Sequence, residues 1–322
     1  MEISLLGRFL VLASGTRLGE DDIPGRKAAA LLKLLALAPG HQLARDVAVE
    51  ALWPGVEDGS AQLYKALHQL RRVLAAPESI SLAKNLLKLA PPEGLATDIA
   101  AFELAAREAL ASGRLEALEA AAARYAGDLL PMDLHAPWAE APRDRLRQRY
   151  LDVLLALAGK YLGRGDLPAA AQTWRTALEK DATLEAAHRG LMEVFAREGQ
   201  RDRALKQYGV CLDVLADELG VAPSQDTRAL YERIERESLG AEATARLVPL
   251  QAPTQAPPLV NRVAECRAIE RCLDELAAGR GGALIMEGPG GIGKSRLVRE
   301  LAARARQRGY SASTFSFNNG DG

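Results

Sequence analysis

Leu157, Tyr161, Gly165, Ala170, Trp174 and Leu178 return 34 residues later as Leu191, Phe195, Gly199, Ala204, Tyr208 and Leu212. A repeat of this period constrains the fold because one copy alone cannot bury its apolar face and must stack on the next. The glycine permits a tight turn, the alanine lets antiparallel helices approach, and the aromatic residue fills the gap between hairpins. The pattern is that of a tetratricopeptide-like helix-turn-helix repeat. Residues 97–240 read as helical almost throughout, with further helices expected at 99–111, 115–125, 137–162 and 225–238. An aromatic content of only 5% beside abundant alanine and leucine agrees with helices packed on small side chains. Such a stack offers a concave surface to a peptide or another protein. Trp138 and Trp174 read as packing residues.

The first 92 residues have a different pattern. Apolar runs at 3–6 and 8–12 read as strands broken by Gly7, and Gly15 and Gly19 mark turns. A helix is expected at 26–38 with Ala28, Leu31, Leu32 and Leu35 in the core. A second, at 43–53, is expected to bury Leu43, Val47 and Leu52 before Pro54 and Gly55 stop it. A third spans 60–74 and buries the stripe Leu63, Leu67, Leu70 and Leu74. Its other side carries Ala61, Lys65, His68, Gln69 and Arg72, with Tyr64 and Arg71 at the flank. That face holds no carboxylate and runs roughly 16 Å from Ala61 to Arg72, enough to lie along a major groove. Residues 80–83 and 86–89 then read as a hairpin whose tip, Lys84 and Asn85, projects from the body. Strands, three helices and a terminal hairpin spell a winged helix-turn-helix. Its candidate DNA-binding residues are Tyr64, Lys65, His68, Gln69, Arg71, Arg72, Lys84 and Asn85.

Charge places that face locally. The chain carries a net charge of -1, so nothing general points to nucleic acid. Residues 1–92 hold eleven Lys and Arg against nine Asp and Glu, but residues 61–90 hold five basic side chains and one acid, Glu78. So few phosphate contacts imply weak, salt-sensitive binding by one copy, and a need for a second copy or another protein contact.

Residues 241–258 read as a linker, since Pro249, Pro253, Pro257 and Pro258 deny it a stable helix or central strand. Beyond it an amphipathic helix at 262–277 and a strand at 283–287 lead into GPGGIGKS, residues 288–295. Strand, glycine-rich loop and helix make a Walker A site. Gly288, Gly290, Gly291 and Gly293 would turn backbone amides toward phosphate oxygens. Lys294 would reach the beta and gamma phosphates, and Ser295 would hold magnesium once nucleotide is present. Only 27 residues follow Ser295, with one further strand at 313–317 and no magnesium-holding acid. Efficient ATP hydrolysis is therefore not expected. The fold class expected is mainly α: a winged helix-turn-helix, tetratricopeptide-like helical repeats, and an incomplete α/β P-loop fragment over 259–322.

Nothing assembles a catalytic constellation, and His41, His135 and His188 lack ligand spacing. Three unclustered cysteines, no signal peptide and no apolar run of spanning length fit a cytoplasmic, nucleoid-associated protein without a membrane partner.

The residues also carry a resemblance. GRKAAALLKLLAL (25–37), VEALWPG (49–55) and LYKALHQLRRVL (63–74) resemble the OmpR-type winged helix of regulators that join it to a bacterial transcriptional activation domain, as in the actinomycete antibiotic regulatory proteins. TDIAAFE (97–103), YAGDLLP (125–131) and the long stretch at 191–224 resemble that activation domain. Residues from about 259 resemble the start of the signal-transduction ATPase module of larger members, as though such a regulator were cut short. The resemblance implies a transcriptional activator that binds repeated promoter DNA as a homodimer and contacts RNA polymerase. It requires no cofactor, with ATP and magnesium entering only in a full-length form. A second expectation rests on the small charge excess and on LAKNLLKLAPP, where such proteins commonly carry a glycine-tyrosine wing. It is a protein-interaction regulator with a degenerate winged helix, gated by nucleotide in the full-length form.

Overall fold

The computed structural model describes residues 1–74, 77–245, 263–280, 284–285 and 294–310. They divide into two units, Met1–Leu247 and Val248–Gly322.

The first unit opens with β1 (Glu2–Ser4), β2 (Leu10–Ala13) and β3 (Thr16–Leu18). Ser14 and Gly15, with φ of 48° and 82°, make the two-residue turn that joins the last two. The sheet order is β3-β2-β1-β7, where β7 (Ala96–Thr97) runs parallel to β1 with Ile3 opposite Thr97. Helix α1 (Arg26–Leu37) lies in the core through Ala28, Leu31, Leu32 and Leu35, all fully buried. A single 3₁₀ turn at Pro39–His41 leads to β4 (Gln42–Ala44) and then α2 (Arg45–Leu52).

Two expectations change at this point. The helix expected from residue 43 starts at Arg45, because residues 42–44 pair as a strand with Lys88, Leu87 and Leu86. Val47, expected in the core, is 53% exposed.

Helix α3 (Gly59–Val73) is capped by the Asp58 carboxylate, which accepts from the Ala61 amide at 3.2 Å. It buries Leu63, Ala66, Leu67 and Leu70. The hairpin of β5 (Ile80–Ala83) and β6 (Leu86–Leu89) completes the sheet β4-β6-β5.

From residue 98 the chain is helical: α4 (Asp98–Ser112), α5 (Leu115–Arg124), α6 (Pro137–Arg164), α7 (Leu167–Lys180), α8 (Glu185–Arg197), α9 (Arg201–Leu219) and α10 (Gln225–Ala245). The repeat is visible in the packing. Leu157 and Leu191 are buried, Ala170 and Ala204 fully so, and Gly165 and Gly199 take positive φ in the two turns. Trp174 lies flat against Gly190, where any Cβ would overlap the indole. The second copy is looser at its end: Leu178 packs on the core, whereas Leu212 is 40% exposed. Helix α10 runs to Ala245, so the linker expected from residue 241 begins inside a helix, and residues 246–258 lie outside the described residues. One continuous core extends from Ile3 to Ile234, so residues 1–92 and the helical body share it. Among the described residues no helix is long and apolar enough to cross a membrane.

The second unit contains α11 (Val263–Ala277) and α12 (Lys294–Gln307), packed through Ile269, Leu273, Leu297 and Ala305. Arg304 meets Glu300 at 2.8 Å and Glu270 at 2.5 Å, and Arg308 meets Asp274 at 2.7 Å. Gly288, Gly290, Gly291 and Gly293 lie outside the described residues, as does the strand expected at 313–317. Lys294 and Ser295 form the start of α12.

Candidate nucleic-acid interface

The interface expected from sequence is the outer side of α3 with the β5–β6 hairpin. On α3, burial of Leu63, Ala66, Leu67 and Leu70 leaves Ala61, Lys65, His68 and Arg72 as one exposed line at spacings of four, three and four. Lys65, His68 and Arg72 have no partner among the described residues. Tyr64, 56% exposed, borders this line on one side.

Other expected residues are engaged within the protein. Arg71 donates from Nε and Nη2 to the Ile80 carbonyl, at 3.0 and 2.9 Å. It fastens α3 to the first residue of the hairpin. Gln69 is half-buried, with its amide against Gly25 at the start of α1; a Cβ on that glycine would lie 3.1 Å from Gln69 Oε1. Lys84 and Asn85 form the hairpin turn with φ of 48° and 66°. The tip does not project as expected. The Asn85 carbonyl accepts from the Arg45 amide at 2.9 Å, and Asn85 Nδ2 donates to Asp46 Oδ2 at 3.0 Å. The pairing of β6 with β4 brings the tip to the start of α2, and Lys84 remains exposed there. The bond from Asn85, aided by Arg45, holds the Asp46 carboxyl below its ordinary range.

What sequence reasoning missed is the seam that sets the direction of α3 relative to the helical body. The Leu5 amide donates to Asp98 Oδ1 and Oδ2 at 2.9 and 2.8 Å, and the Leu6 amide to Oδ2 at 2.9 Å. Burial raises the Asp98 carboxyl above its ordinary value even against those three bonds. Downstream, the Gly7 amide donates to the Asp128 carbonyl and the Leu130 amide to the Leu5 carbonyl, both at 2.9 Å. The backbones touch at a glycine pair: a Cβ on Gly7 would lie 2.8 Å from the Ala126 carbonyl oxygen, and one on Gly127 2.9 Å from the Gly7 Cα. The loop is held from beneath by Arg143, 6% exposed, which donates to the Leu129 and Asp133 carbonyls at 3.1 and 3.0 Å. Lys33 of α1 crosses the seam to Asp133 at 2.7 Å and also meets Glu20 at 2.8 Å. The segment YAGDLLP (125–131) stands out in sequence, but its docking on Leu5 and Gly7 leaves no periodic mark.

Residues 97–235 match the bacterial transcriptional activator domain, and residues 258–319 match the AAA ATPase domain. The chain is similar to the regulatory protein AfsR of Streptomyces coelicolor, 31% identical over 307 residues, covering 86% of the chain and 30% of that protein. It is 28% identical over 334 residues to AfsR of Streptomyces griseus, covering 93% of the chain and 32% of that protein. The chain thus spans about a third of the length of these relatives. Its fold resembles that of Mycobacterium tuberculosis EmbR, solved in complex with a low-affinity phosphopeptide. The TM-score is 0.63 at 22% identity, over 76% of this chain and 69% of that one.

Proposed function

We propose that this chain is a sequence-specific DNA-binding transcriptional activator. Residues 1–92 act as a winged helix-turn-helix with α3 in the major groove, and the tetratricopeptide-like body contacts RNA polymerase. The observation that carries this reading is the exposed line Lys65, His68 and Arg72 on a helix fixed to a body that matches an activation domain. Helix α3 is free of carboxylates along that line, Arg71 locks it to the hairpin, and the seam passes its orientation on to the body. Since Lys65 and Arg72 give few phosphate contacts, two copies on repeated promoter sites supply the remaining affinity. Residues 1–240 need no cofactor for this. In the AAA-matching region, Lys294 and Ser295 stand at the first turn of a helix, where unpaired amides favour phosphate, and Ser295 would hold magnesium only with nucleotide bound. ATP there would gate assembly; the DNA step makes no use of it.

A second reading has one observation of its own. Val47, Val56 and Tyr64, 53%, 47% and 56% exposed, belong to α2, the turn after it and α3. They suit a protein-docking role for the same module. Recovery of genomic fragments bound by the purified chain, with a salt titration on the best one, decides between them. Repeated motifs and affinity falling steeply with salt support the activator. Loss of all selectivity, with partner capture intact, supports the docking module.

A further inference from the structure

The repeat stack ends on an apolar face. Helix α9 has 19 residues against 14 in α7, its counterpart in the first copy, and residues 216–219 at its end are all exposed. Along one side Leu212, Ala216 and Leu219 recur at spacings of four and three. The two leucines are 40% and 57% exposed, and Val221, 50% exposed, extends the strip past the helix end. In the first copy the matching Leu178 packs on the core. A solenoid ordinarily closes such an end with a polar cap. Among the described residues the third hairpin has its first helix, α10, and the sequence that follows carries Pro249, Pro253, Pro257 and Pro258, which exclude an uninterrupted helix as its second. Helices α11 and α12 spend their apolar sides on each other, through Ile269, Leu273 and Leu297.

The rim of the strip is acidic. Residues 210–226 hold four exposed carboxylates, Asp213, Asp217, Glu218 and Asp226, and no lysine, arginine or histidine; Arg228 on α10 lies just past this stretch. Glu218 also lines a cleft of about 390 Å³ with Asp144, Arg147, Lys180 and Asp181. Both cations of the cleft are turned to Asp128, at 3.8 and 3.3 Å. A second copy laid on the strip would bring the same carboxylates against these, so charge disfavours self-pairing. An apolar strip with such a rim suits a cationic partner. We propose that the end of α9 docks a basic amphipathic helix of another protein. The apolar side of that helix completes the third hairpin in trans, and its lysines or arginines meet Asp213, Asp217 and Glu218. This goes beyond the DNA-binding reading and does not rest on it, since α3 takes no part.

The test uses the full chain and a displayed library of random peptides of roughly 18 residues, about five helical turns. The expected result is a selected set with apolar residues at helical spacing and lysine or arginine beside them. A synthetic peptide from that set should lose roughly tenfold or more in affinity for a chain carrying both Leu212→Ser and Leu219→Ser. Asp213→Asn with Asp217→Asn should weaken binding and reduce its dependence on salt. All four side chains are exposed, and thermal unfolding of each variant verifies that it folds. Selection of no peptide, selection of acidic or unpatterned ones, or affinity that survives loss of both leucines overturns the proposal. Sedimentation of the chain alone covers the other occupant: self-association abolished by the two leucine changes would assign the strip to a second copy and overturn the proposal as well. None of these outcomes bears on α3 and DNA.

Discussion

Lys33 Nζ lies 2.7 Å from Asp133 Oδ2, joining the first helix of the amino-terminal module to a loop of the helical body 100 residues away. The lysine is fully buried, with Glu20 at 2.8 Å and the Phe9 ring 4.9 Å below its ammonium. A buried ion pair is a poor source of net stability, yet removing one partner strands the other. Lys33→Met is expected to cost about 3 kcal/mol in urea unfolding, whereas Lys33→Met with Asp133→Leu should recover part of that loss.

Gly190 is expected to reject even a methyl group. Trp174 occupies the space a Cβ would need, so Gly190→Ala must move the indole or separate α7 from α8. Overpacking of this kind costs about 1–3 kcal/mol. A lower melting temperature with a shifted tryptophan emission would report it; an unchanged melt would show that the contact between α7 and α8 tolerates more slack than its packing suggests.

Arg71 and Arg72 are neighbours in sequence with different tasks in the proposed complex. Arg71→Ala removes two charge-assisted bonds to the Ile80 carbonyl and should cost about 1.5–3 kcal/mol of stability. Its effect on DNA affinity should leave the salt slope unchanged. Arg72→Ala should leave stability intact and flatten the slope of log affinity against log salt by about 0.9. Equal slopes for the two variants would void this assignment, and a flattened slope for Arg71→Ala alone would invert it.

Glu185 ties α8 to the start of α10. Its Oε1 accepts from the Ser224 amide at 2.8 Å, from the Ser224 hydroxyl at 2.5 Å and from Thr227. Burial opposes ionisation, but the Ser224 and Thr227 bonds prevail and hold the carboxyl below its ordinary 4.5. A depressed carboxylate contributes stability that is complete above about 4.5 and is lost as pH falls through the lower folded value. Proteolysis of α10 should therefore accelerate below about pH 4.5 in the wild type, and Glu185→Gln should make it fast at neutral pH.

The elements legible in sequence were those whose pattern is local. Periodic apolar spacing placed a helix at 26–38, one residue beyond the observed end of α1 at Leu37, and the buried stripe of α3 was placed correctly. The failures have a common cause. Residues 42–44 are uniformly half-buried and look like the start of a helix until Lys88, Leu87 and Leu86 are seen beside them. Strand β7 has two residues and exists because Ile3 stands opposite Thr97. Lys33 sits beside core leucines in sequence, and periodicity has no way to announce a carboxylate from residue 133. At the candidate interface, spacing identified the outward side of α3, but Arg71 and Gln69 were separated from Lys65 and His68 only by contacts with Ile80 and Gly25.

The Gly7–Gly127 crossing bears on how a chain of this architecture can be rebuilt. Two backbones meet there too closely for a side chain on either strand. A head transplanted from a related chain would have to bring a glycine to the same place, and its host would have to keep the loop that receives it. Exchange of parts is thus governed by a matched pair of residues more than a hundred positions apart, and a cut at the apparent domain boundary near residue 92 would divide the lock from its key.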